Sequence, residues 1–248
     1  MLADARVGTS GYAFREWVGT VYPPDLPPQE QLAWYAQQLS TVEIASSFSR
    51  TPTPEQVSLW AQSVPPGFRF SLKLPRRICQ ELRNPKALGR LLGSFLEAVG
   101  ELGDRLGPLL VQLPESVSVD RPALAELLRL APRGLRFAFE FRNPSWGGAQ
   151  TLRLLSAHNA ALVWTDQGDG PPPVELTADF AYVRIRRDGD QPEAWATWAE
   201  RLATLTRRGV EVFAYVKHDR KGFAVERARR LGLLLRSEGD HGAAPLLS

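Results

Sequence analysis

The chain has 248 residues, enough for one large α/β domain or two small ones, and its hydrophobic content of 44% suffices for a packed core. Thirty basic residues against 27 acidic ones give a net charge of +3 and a pI near 9.2, too mild to require an anionic partner. A single cysteine, Cys79, excludes an intrachain disulfide and a thiolate metal cluster. Because no apolar run reaches signal or membrane-spanning length, we expect a cytoplasmic protein with no membrane partner.

The first half of the chain alternates short strand patterns with helical ones. Between the first two strands, Leu32, Tyr35 and Leu39 recur at spacings of three and four, which is typical of a helix. Thr53 and Pro54 are a capping residue and a first-turn proline, so they predict a helix start. The pattern predicts strands at residues 6–9, 41–48, 68–74 and 107–113, and helices at 29–39, from 53 onward, at 86–106 and at 121–130.

The second half continues the alternation. Four more strands are predicted at residues 135–142, 161–166, 180–186 and 210–216, with helices at 150–158, 192–208 and after the last strand. The connection 167–178 is too rich in proline and glycine for a full helix. Residues from Ser237 onward predict a flexible tail.

Eight strands, most of them followed by a helix, match the count and length of a closed (β/α)8 barrel of the TIM type. We therefore predict one α/β barrel domain over residues 1–236, with residues 237–248 as the tail. An open, doubly wound sheet is the alternative. A two-domain arrangement is excluded because no linker interrupts the alternation.

The stretch LRFAFEFRNPSW at residues 135–146 shows the pattern of one strand most clearly. Phe137 and Phe139 alternate with Glu140 and Arg142, so the strand has one apolar and one charged face. Pro144 then ends the strand, which puts the two charges near its carboxyl end. At positions i and i+2 they are near enough to share one anion or one water, but poorly placed for a tight direct pair.

The same parity recurs in other strands, so several charged residues share one face. If the apolar face meets the outer helices, these charges point into the barrel and line its mouth. The residues on this face are Glu43, Lys73, Glu140, Arg142, Arg184 and Arg186, with Asp166, Lys217, His218 and Asp219 at the ends of strands six and eight. They are either a buried ion network that fixes the barrel interior or a ligand site. Cations outnumber carboxylates, which favours an anionic ligand such as phosphate.

These residues suggest an enzyme of hydrolase or lyase type that acts on a phosphorylated or otherwise anionic, sugar-like substrate. Glu43 and Glu140 are the catalytic candidates, because apolar surroundings can raise the pKa of a carboxyl toward neutrality. The substrate-binding candidates are Tyr12, Lys73, Gln112, Arg142, Trp146, Asp166, Arg184, Arg186, Lys217 and Asp219. A nucleic-acid-binding module is the second hypothesis, since 26 of the 30 basic residues are arginine. A non-catalytic scaffold is the third, favoured if side chains fill the mouth.

Seven motifs resemble those of the YecE-like family, also called domain of unknown function 72, across residues 7–233. They are GTSGY at 8–12, YPPDLP at 22–27, TVEI at 41–44, GFRF at 67–70, LGPLLVQLP at 106–114, FEFRNPSW at 139–146 and TADFAYVR at 177–184. The resemblance implies a TIM-type barrel, distantly similar to endonuclease-IV-like and sugar-isomerase-like barrels, and brings no established activity. Positions that match polar positions of the family are Glu43, Lys73, Gln112, Glu140, Arg142, Arg184 and Asp219.

The chain also departs from the family pattern. After TVEI the family has two asparagines, which Ala45 and Ser46 replace here. Lys217 and His218 stand where two asparagines are usual, and Arg186 stands where a histidine is usual. Amides that orient a ligand are thus replaced by small or cationic groups, which implies a divergent or reduced activity.

We expect no tightly bound cofactor. An endonuclease-IV-like trinuclear zinc site needs several histidines beside its carboxylates, and His218 is the one suitable histidine. We therefore predict no tightly held zinc. A weak magnesium site formed by Glu43, Glu140 or Asp166 is left open.

Overall fold

The computed structural model describes residues 3–167, 174–186 and 192–241. Eight parallel strands close into a barrel in chain order, because β1 pairs with both β2 and β8. The strands are β1 (Ala5–Ser10), β2 (Thr41–Ile44), β3 (Arg69–Lys73), β4 (Leu106–Leu113), β5 (Phe137–Phe141), β6 (Ala161–Thr165), β7 (Phe180–Ile185) and β8 (Glu211–Val216). The predicted (β/α)8 barrel is confirmed, and the β1–β8 pairing excludes an open sheet.

The helices connect successive strands around the outside of the barrel. Three of them start at Thr53, Asn84 and Asp120, whose side-chain oxygens accept backbone N–H groups three residues further on. The α-helices are α1 (Gln31–Ala36), α2 (Pro54–Gln62), α3 (Arg76–Gln80), α4 (Pro85–Val99), α5 (Arg121–Leu130), α6 (Ala149–Ala157), α7 (Pro192–Arg207) and α8 (Phe223–His241). None of the described helices is long and apolar enough to cross a lipid bilayer.

The apolar side chains form two clusters, one outside the ring of strands and one inside it. Outward residues of the strands, such as Val42, Phe139 and Val183, pack against the helices in the larger core. Inside the barrel, a second cluster contains Tyr182 and Tyr215, whose rings lie 5.1 Å apart. The apolar side chains therefore fill the helix-facing layer and much of the barrel interior, and charged inward side chains lie toward the two ends of the barrel.

Strand β2 is shorter than the predicted 41–48, and this changes the mouth of the barrel. Residues Ala45–Phe48 form a 3-10 helix instead. The reason is local: Ser47 Oγ donates to the carbonyl oxygens of Ile44 and Lys73, both at 2.7 Å, and so turns the chain away from the sheet. Alternating residue types cannot distinguish this turn from four further strand residues.

Two other predictions differ from the structure at helix ends. The predicted helix 86–106 ends at Val99, and a 3-10 segment, Gly100–Arg105, follows with Gly103 in the left-handed region at φ 51°. Helix α8 continues to His241, past the predicted start of the tail at Ser237. The rest of the predicted tail, 242–248, and residues 168–173 of the predicted connection lie outside the described residues.

Candidate functional site

A polar network lies inside the barrel at the carboxyl ends of its strands, as the strand parity predicts. Its central members are Glu43 from β2, Lys73 from β3, Gln112 from β4, Glu140 from β5 and Arg184 from β7. The four charged residues are all less than a tenth exposed. Because charges so deeply buried must be paired, the contacts within the network decide what each residue can do.

Arg184 lies between the two glutamates and joins them. Its Nη2 donates to Glu43 Oε1 at 2.9 Å, and its Nη1 donates to Glu140 Oε2. Burial disfavours the charged guanidinium, but the two carboxylates outweigh this and raise the pKa of Arg184 above its ordinary value. Arg184 is therefore a permanent cation shared by two carboxylates.

Glu43 accepts hydrogen bonds from four side chains. Its Oε1 accepts from Arg184, from Arg186 Nη2 at 3.0 Å and from Ser10 Oγ at 2.6 Å, and its Oε2 accepts from Tyr182 OH at 2.8 Å. Burial alone would raise the pKa of Glu43, but the two guanidinium groups and the Ser10 hydroxyl lower it to about 2. Glu43 is therefore ionised at neutral pH.

Glu140 is held by a second set of donors. Gln112 Nε2 donates to its Oε1 at 2.7 Å, and Arg142 Nε donates to the same oxygen at 3.2 Å. Burial opposes ionisation, but Arg184 and then Arg142 lower the pKa of Glu140. The Arg142 side chain is 37% exposed and also donates to Gln167 Oε1 at 2.8 Å, so its contact with Glu140 is the weaker of the two ion pairs.

These pKa shifts are opposite to the raised pKa that the sequence predicts for the two glutamates. The prediction assumed apolar walls around each carboxyl, whereas the walls carry Arg184, Arg186 and Arg142. Both carboxyls are ionised at neutral pH, so neither has a proton to donate there. Their geometry suits them to hold arginines in position.

A cavity of about 490 Å³ opens above the network at the mouth of the barrel. Four cationic residues line it: Arg142, Arg184, Arg186 and Lys217. Among the described residues the lining includes one carboxylate, Asp166, whose Oδ1 accepts the backbone N–H of Arg186 at 2.5 Å. The cavity is therefore cationic, with the two glutamates buried below it.

Asp219 has a different role from the predicted one. Its carboxylate accepts backbone N–H groups of Lys221 at 2.8 Å, Phe223 at 3.2 Å and Ala224 at 2.6 Å, so it caps the start of α8. It does not line the cavity, whereas its neighbours in sequence Lys217 and His218 do. Asp219 lies four residues before the first residue of α8, Phe223, so its side chain reaches the first turn across a short loop.

Two aromatic candidates also lie away from the cavity. Trp146 is buried, its Nε1 donates to the carbonyl oxygen of Val117 at 2.8 Å, and its ring stacks on Phe141 at 4.7 Å. The ring of Tyr12 lies 6.2 Å from that of Tyr35, on helix α1. Trp146 therefore packs against the end of β5 and Tyr12 against α1, and neither lines this cavity.

The carboxylates in the described part of the chain are not arranged for a metal ion. No group of three or more His, Cys, Asp or Glu residues comes together there. Arg184 occupies the space between Glu43 and Glu140, so a divalent cation would have to displace a guanidinium. The weak magnesium site left open on Glu43, Glu140 or Asp166 stays a prediction. The expected lack of a tightly bound zinc or other cofactor stays a prediction.

Several residues of the site were not among the sequence candidates. Ser10 and Tyr182 both donate to Glu43, and each lies on the inward parity of its strand, which was a usable signal. His218, which the sequence analysis places at the end of the eighth strand, also lines the cavity, and its ring stacks on Phe14 at 4.3 Å. Gln167 follows the end of β6, and apart from this position nothing in the sequence indicates that it belongs to the site.

Comparison with known proteins identifies the family. The family model described as "Protein of unknown function DUF72" matches residues 6–246, nearly the whole chain. The chain belongs to the DUF72 family. The resemblance that its motifs predict is thereby confirmed, and membership brings no established reaction or substrate.

Relatives of the family agree in fold. The UPF0759 protein YecE of Escherichia coli strain K12 is 30% identical over 115 residues, which is 45% of this chain and 41% of YecE, so the match spans well under half of that relative. The crystal structure of a DUF72 protein from Thermotoga maritima is 27% identical, with a TM-score of 0.80 over 94% of this chain and 99% of that one. One from Enterococcus faecalis, 21% identical over 94% and 95% of the two chains with a TM-score of 0.76, supports the fold alone.

The positions that match the DUF72 pattern coincide with the network, apart from Asp219. Two residues that depart from the pattern implied by the resemblance lie at the upper edge of the network. Arg186 donates to Ser10 Oγ at 2.8 Å as well as to Glu43. Lys217 lines the cavity. Both side chains therefore place a cation at the mouth.

Proposed function

We propose that the mouth of the barrel binds a small anionic ligand, with phosphate or carboxylate as the recognised group. We further propose that the protein is an enzyme of hydrolase or lyase type that acts on this ligand. The observation that carries the proposal is the cavity of about 490 Å³ above the buried network, lined by four cations and one carboxylate. A purely structural ion network would not need a cavity above it.

The balance of charge supports this choice of ligand. Among the described residues of the cavity and the network below it, five cations face three carboxylates: Arg142, Arg184, Arg186, Lys217 and Lys73 against Glu43, Glu140 and Asp166. An anion entering the mouth therefore meets a net positive site with low-dielectric walls, where its attraction to arginine is stronger than in water. Arginine also offers paired donors that match the geometry of phosphate and carboxylate oxygens.

The two glutamates have positioning roles in this proposal. Glu43 holds Arg184 and Arg186, and Glu140 holds Arg184 and Arg142, so the guanidinium groups keep one orientation before a ligand arrives. Arg142 is the most exposed of the three and the best placed to contact the anion directly. A site arranged in advance loses little side-chain entropy on binding.

The test is thermal unfolding with sodium phosphate or sulfate against sodium chloride at equal ionic strength. A phosphate concentration ten times the Kd should stabilise the protein by about 1.4 kcal/mol, or roughly 3–5 °C for a chain of this size. The double variant Arg142→Ala, Lys217→Ala should lose most of this shift. Arg129→Ala, which removes an exposed arginine of an ion pair on α5, is the matched control and should keep it. Equal shifts in the double variant and wild type would refute the site.

A nucleic-acid partner, favoured by the arginine content, stays the second prediction. It requires an affinity whose logarithm falls linearly with the logarithm of the salt concentration. Titrating single- and double-stranded oligonucleotides over a range of salt concentrations checks this. Because a concave mouth suits a small anion better than a duplex, we expect the Arg142→Ala, Lys217→Ala variant to change phosphate binding and leave any oligonucleotide binding as it is.

A further inference from the structure

Lys73 is a buried amine that no carboxylate of the described residues pairs with. It is the last residue of β3 and is 8% exposed. Among the described residues, no carboxylate oxygen lies within 4.0 Å of its Nζ, although two glutamates belong to the same network. A buried lysine is normally paired with a carboxylate, so this arrangement calls for a functional explanation.

The neighbours of Nζ hold the amine in place without neutralising it. Gln112 Oε1 accepts from Nζ at 2.5 Å, and Nζ lies 3.6 Å from the centre of the Phe48 ring. The amide group of Gln112 is itself fixed, because its Nε2 donates to Glu140. The ring of Phe48 favours the ammonium form, whereas the arginines take the carboxylate oxygens that would otherwise pair with Lys73.

The ammonium group of Lys73 therefore loses its proton more readily than that of an ordinary lysine. Burial, followed by the positive charge of Arg184, lowers the pKa of Lys73 to about 8, against the opposing effects of Glu140, Glu43 and Cys79. At pH 7 about a tenth of such amines are neutral, and above pH 8 most of them are. An amine of this kind on a strand end of a TIM-type barrel is a competent nucleophile.

We propose that Lys73 forms a Schiff base with an aldehyde or ketone that carries an anionic group. The inference rests on the proposed function, because Arg142, Arg186 and Lys217 would hold the anionic group while Nζ reaches the carbonyl carbon past Gln112. Gln112 lines the cavity and also contacts Nζ, so the amine lies next to the cavity at this residue. The substrate class is thereby narrowed to anionic carbonyl compounds.

The covalent step needs no partner beyond water and the amine itself. The nitrogen lone pair attacks the carbonyl carbon, the C–N bond forms, and the electrons of the C=O π bond move to oxygen. The two nitrogen protons pass to that oxygen, which leaves as water, and the resulting imine takes up one proton from solvent. The protonated imine withdraws electrons from the adjacent carbon, which favours lyase chemistry over hydrolysis.

The experiment uses glyoxylate, a small aldehyde with a carboxylate, and sodium cyanoborohydride, which reduces an imine to a stable amine. The chain has four lysines, Lys73, Lys86, Lys217 and Lys221, so peptide mapping by mass spectrometry assigns every adduct. We expect Lys73 to be modified about tenfold faster than exposed Lys86. A larger fraction of Lys73 is in the free-amine form, and this outweighs the lower intrinsic nucleophilicity of that amine. The rate at Lys73 should rise with pH through about 8.

Three comparisons make the result specific. Glycolaldehyde, a neutral aldehyde of similar size, should modify Lys73 much more slowly than glyoxylate, and inorganic phosphate should slow the reaction with glyoxylate. In the Lys73→Arg variant, the peptide that contains residue 73 should carry no adduct, and the adduct at Lys86 should be unchanged. Modification of the other lysines without Lys73, in folded wild-type protein, would overturn the proposal.

The outcome also separates this inference from the proposed function. If phosphate raises the melting temperature but Lys73 is not modified, the anion site stands and the Schiff base is refuted. If Lys73 reacts equally with both aldehydes and phosphate has no effect on rate or melting temperature, the anion site fails, and with it the assigned substrate class.

Discussion

Two arginines on the same strand face, Arg142 and Arg184, have different roles in the barrel. Arg184 is buried between Glu43 and Glu140, whereas the Arg142 side chain is over a third exposed and contacts Glu140 at 3.2 Å. A buried ion pair is costly to break because the remaining charge is left without a partner, while an exposed pair contributes little. Depth in the barrel therefore separates the arginine that joins the buried network from the one that, in our proposal, contacts the ligand.

Replacing Arg184 tests this distinction at the residue scale. Arg184→Met keeps much of the side-chain volume but leaves two buried carboxylates without their shared cation, so we expect it to reduce the free energy of unfolding by roughly 3–5 kcal/mol. Arg142→Ala should change it by less than about 1 kcal/mol, because Arg184 still holds Glu140. Urea titration of both variants checks the prediction, and equal losses would contradict the assigned roles.

At the scale of elements, the barrel depends on close approach between β1 and β2. Gly8 faces the backbone of β2, and a β-carbon there would lie 2.0 Å from the carbonyl oxygen of Thr41. Thr41 Oγ1 also lies 2.9 Å from Tyr215 OH inside the barrel. The absence of a side chain at residue 8 therefore allows β1 to approach the strand that carries this contact.

Gly8→Ala should accordingly force the two strands apart. We expect a loss of about 3 kcal/mol or more in the free energy of unfolding, because a backbone oxygen cannot move aside as a flexible side chain can. Gly93→Ala is the matched control: nothing lies within 4 Å of its β-carbon, and alanine should stabilise the interior of α4 by about 0.5–1 kcal/mol. Circular dichroism during chemical unfolding measures both, and an unchanged Gly8→Ala variant would refute the argument.

At the scale of the whole molecule, ion pairs occupy both ends of the barrel interior. At the amino end Arg6 and Arg136 pair with Glu211, and at the carboxyl end Arg184 pairs with Glu43 and Glu140. The apolar and aromatic cluster with Tyr182 and Tyr215 lies inside the barrel as well. The stability of the barrel should therefore depend on the ionisation of buried carboxyls.

Acid unfolding tests this dependence. The pKa of Glu43 is about 2 in the fold, below the ordinary value of about 4.3, so its ionised form stabilises the protein above pH 4.3. This contribution, on the order of 3 kcal/mol, is lost as the pH falls toward 2. In urea titrations, the difference between wild type and Glu43→Gln should be largest at pH 5–7 and shrink below pH 4.

Glu97→Gln, on the exposed face of α4, is the control for this experiment and should follow the wild type at every pH. A difference between wild type and Glu43→Gln that stays constant from pH 6 to pH 2 would contradict the lowered pKa.

The amino-acid sequence by itself determined the architecture and the inward face of the strands. The alternation of apolar and polar residues along β5 and β7 predicts which side chains enter the barrel, because side chains of a strand point alternately to its two faces. Eight such strands separated by helices predict the closed barrel. Local capping signals were present as well, although Asp219 was assigned to the site and not to the start of α8.

The tertiary structure alone decided which charge pairs with which and how deep each lies. Glu43 and Arg184 are far apart in the chain, and their contact depends on strand register and barrel closure, which periodicity does not encode. The pKa shifts follow from that pairing, so the sequence does not reveal the lowered pKa of Glu43, nor that Lys73 lacks a carboxylate partner within the described part of the chain. Distances between side chains on different strands set the chemistry of this site, and only the folded barrel defines those distances.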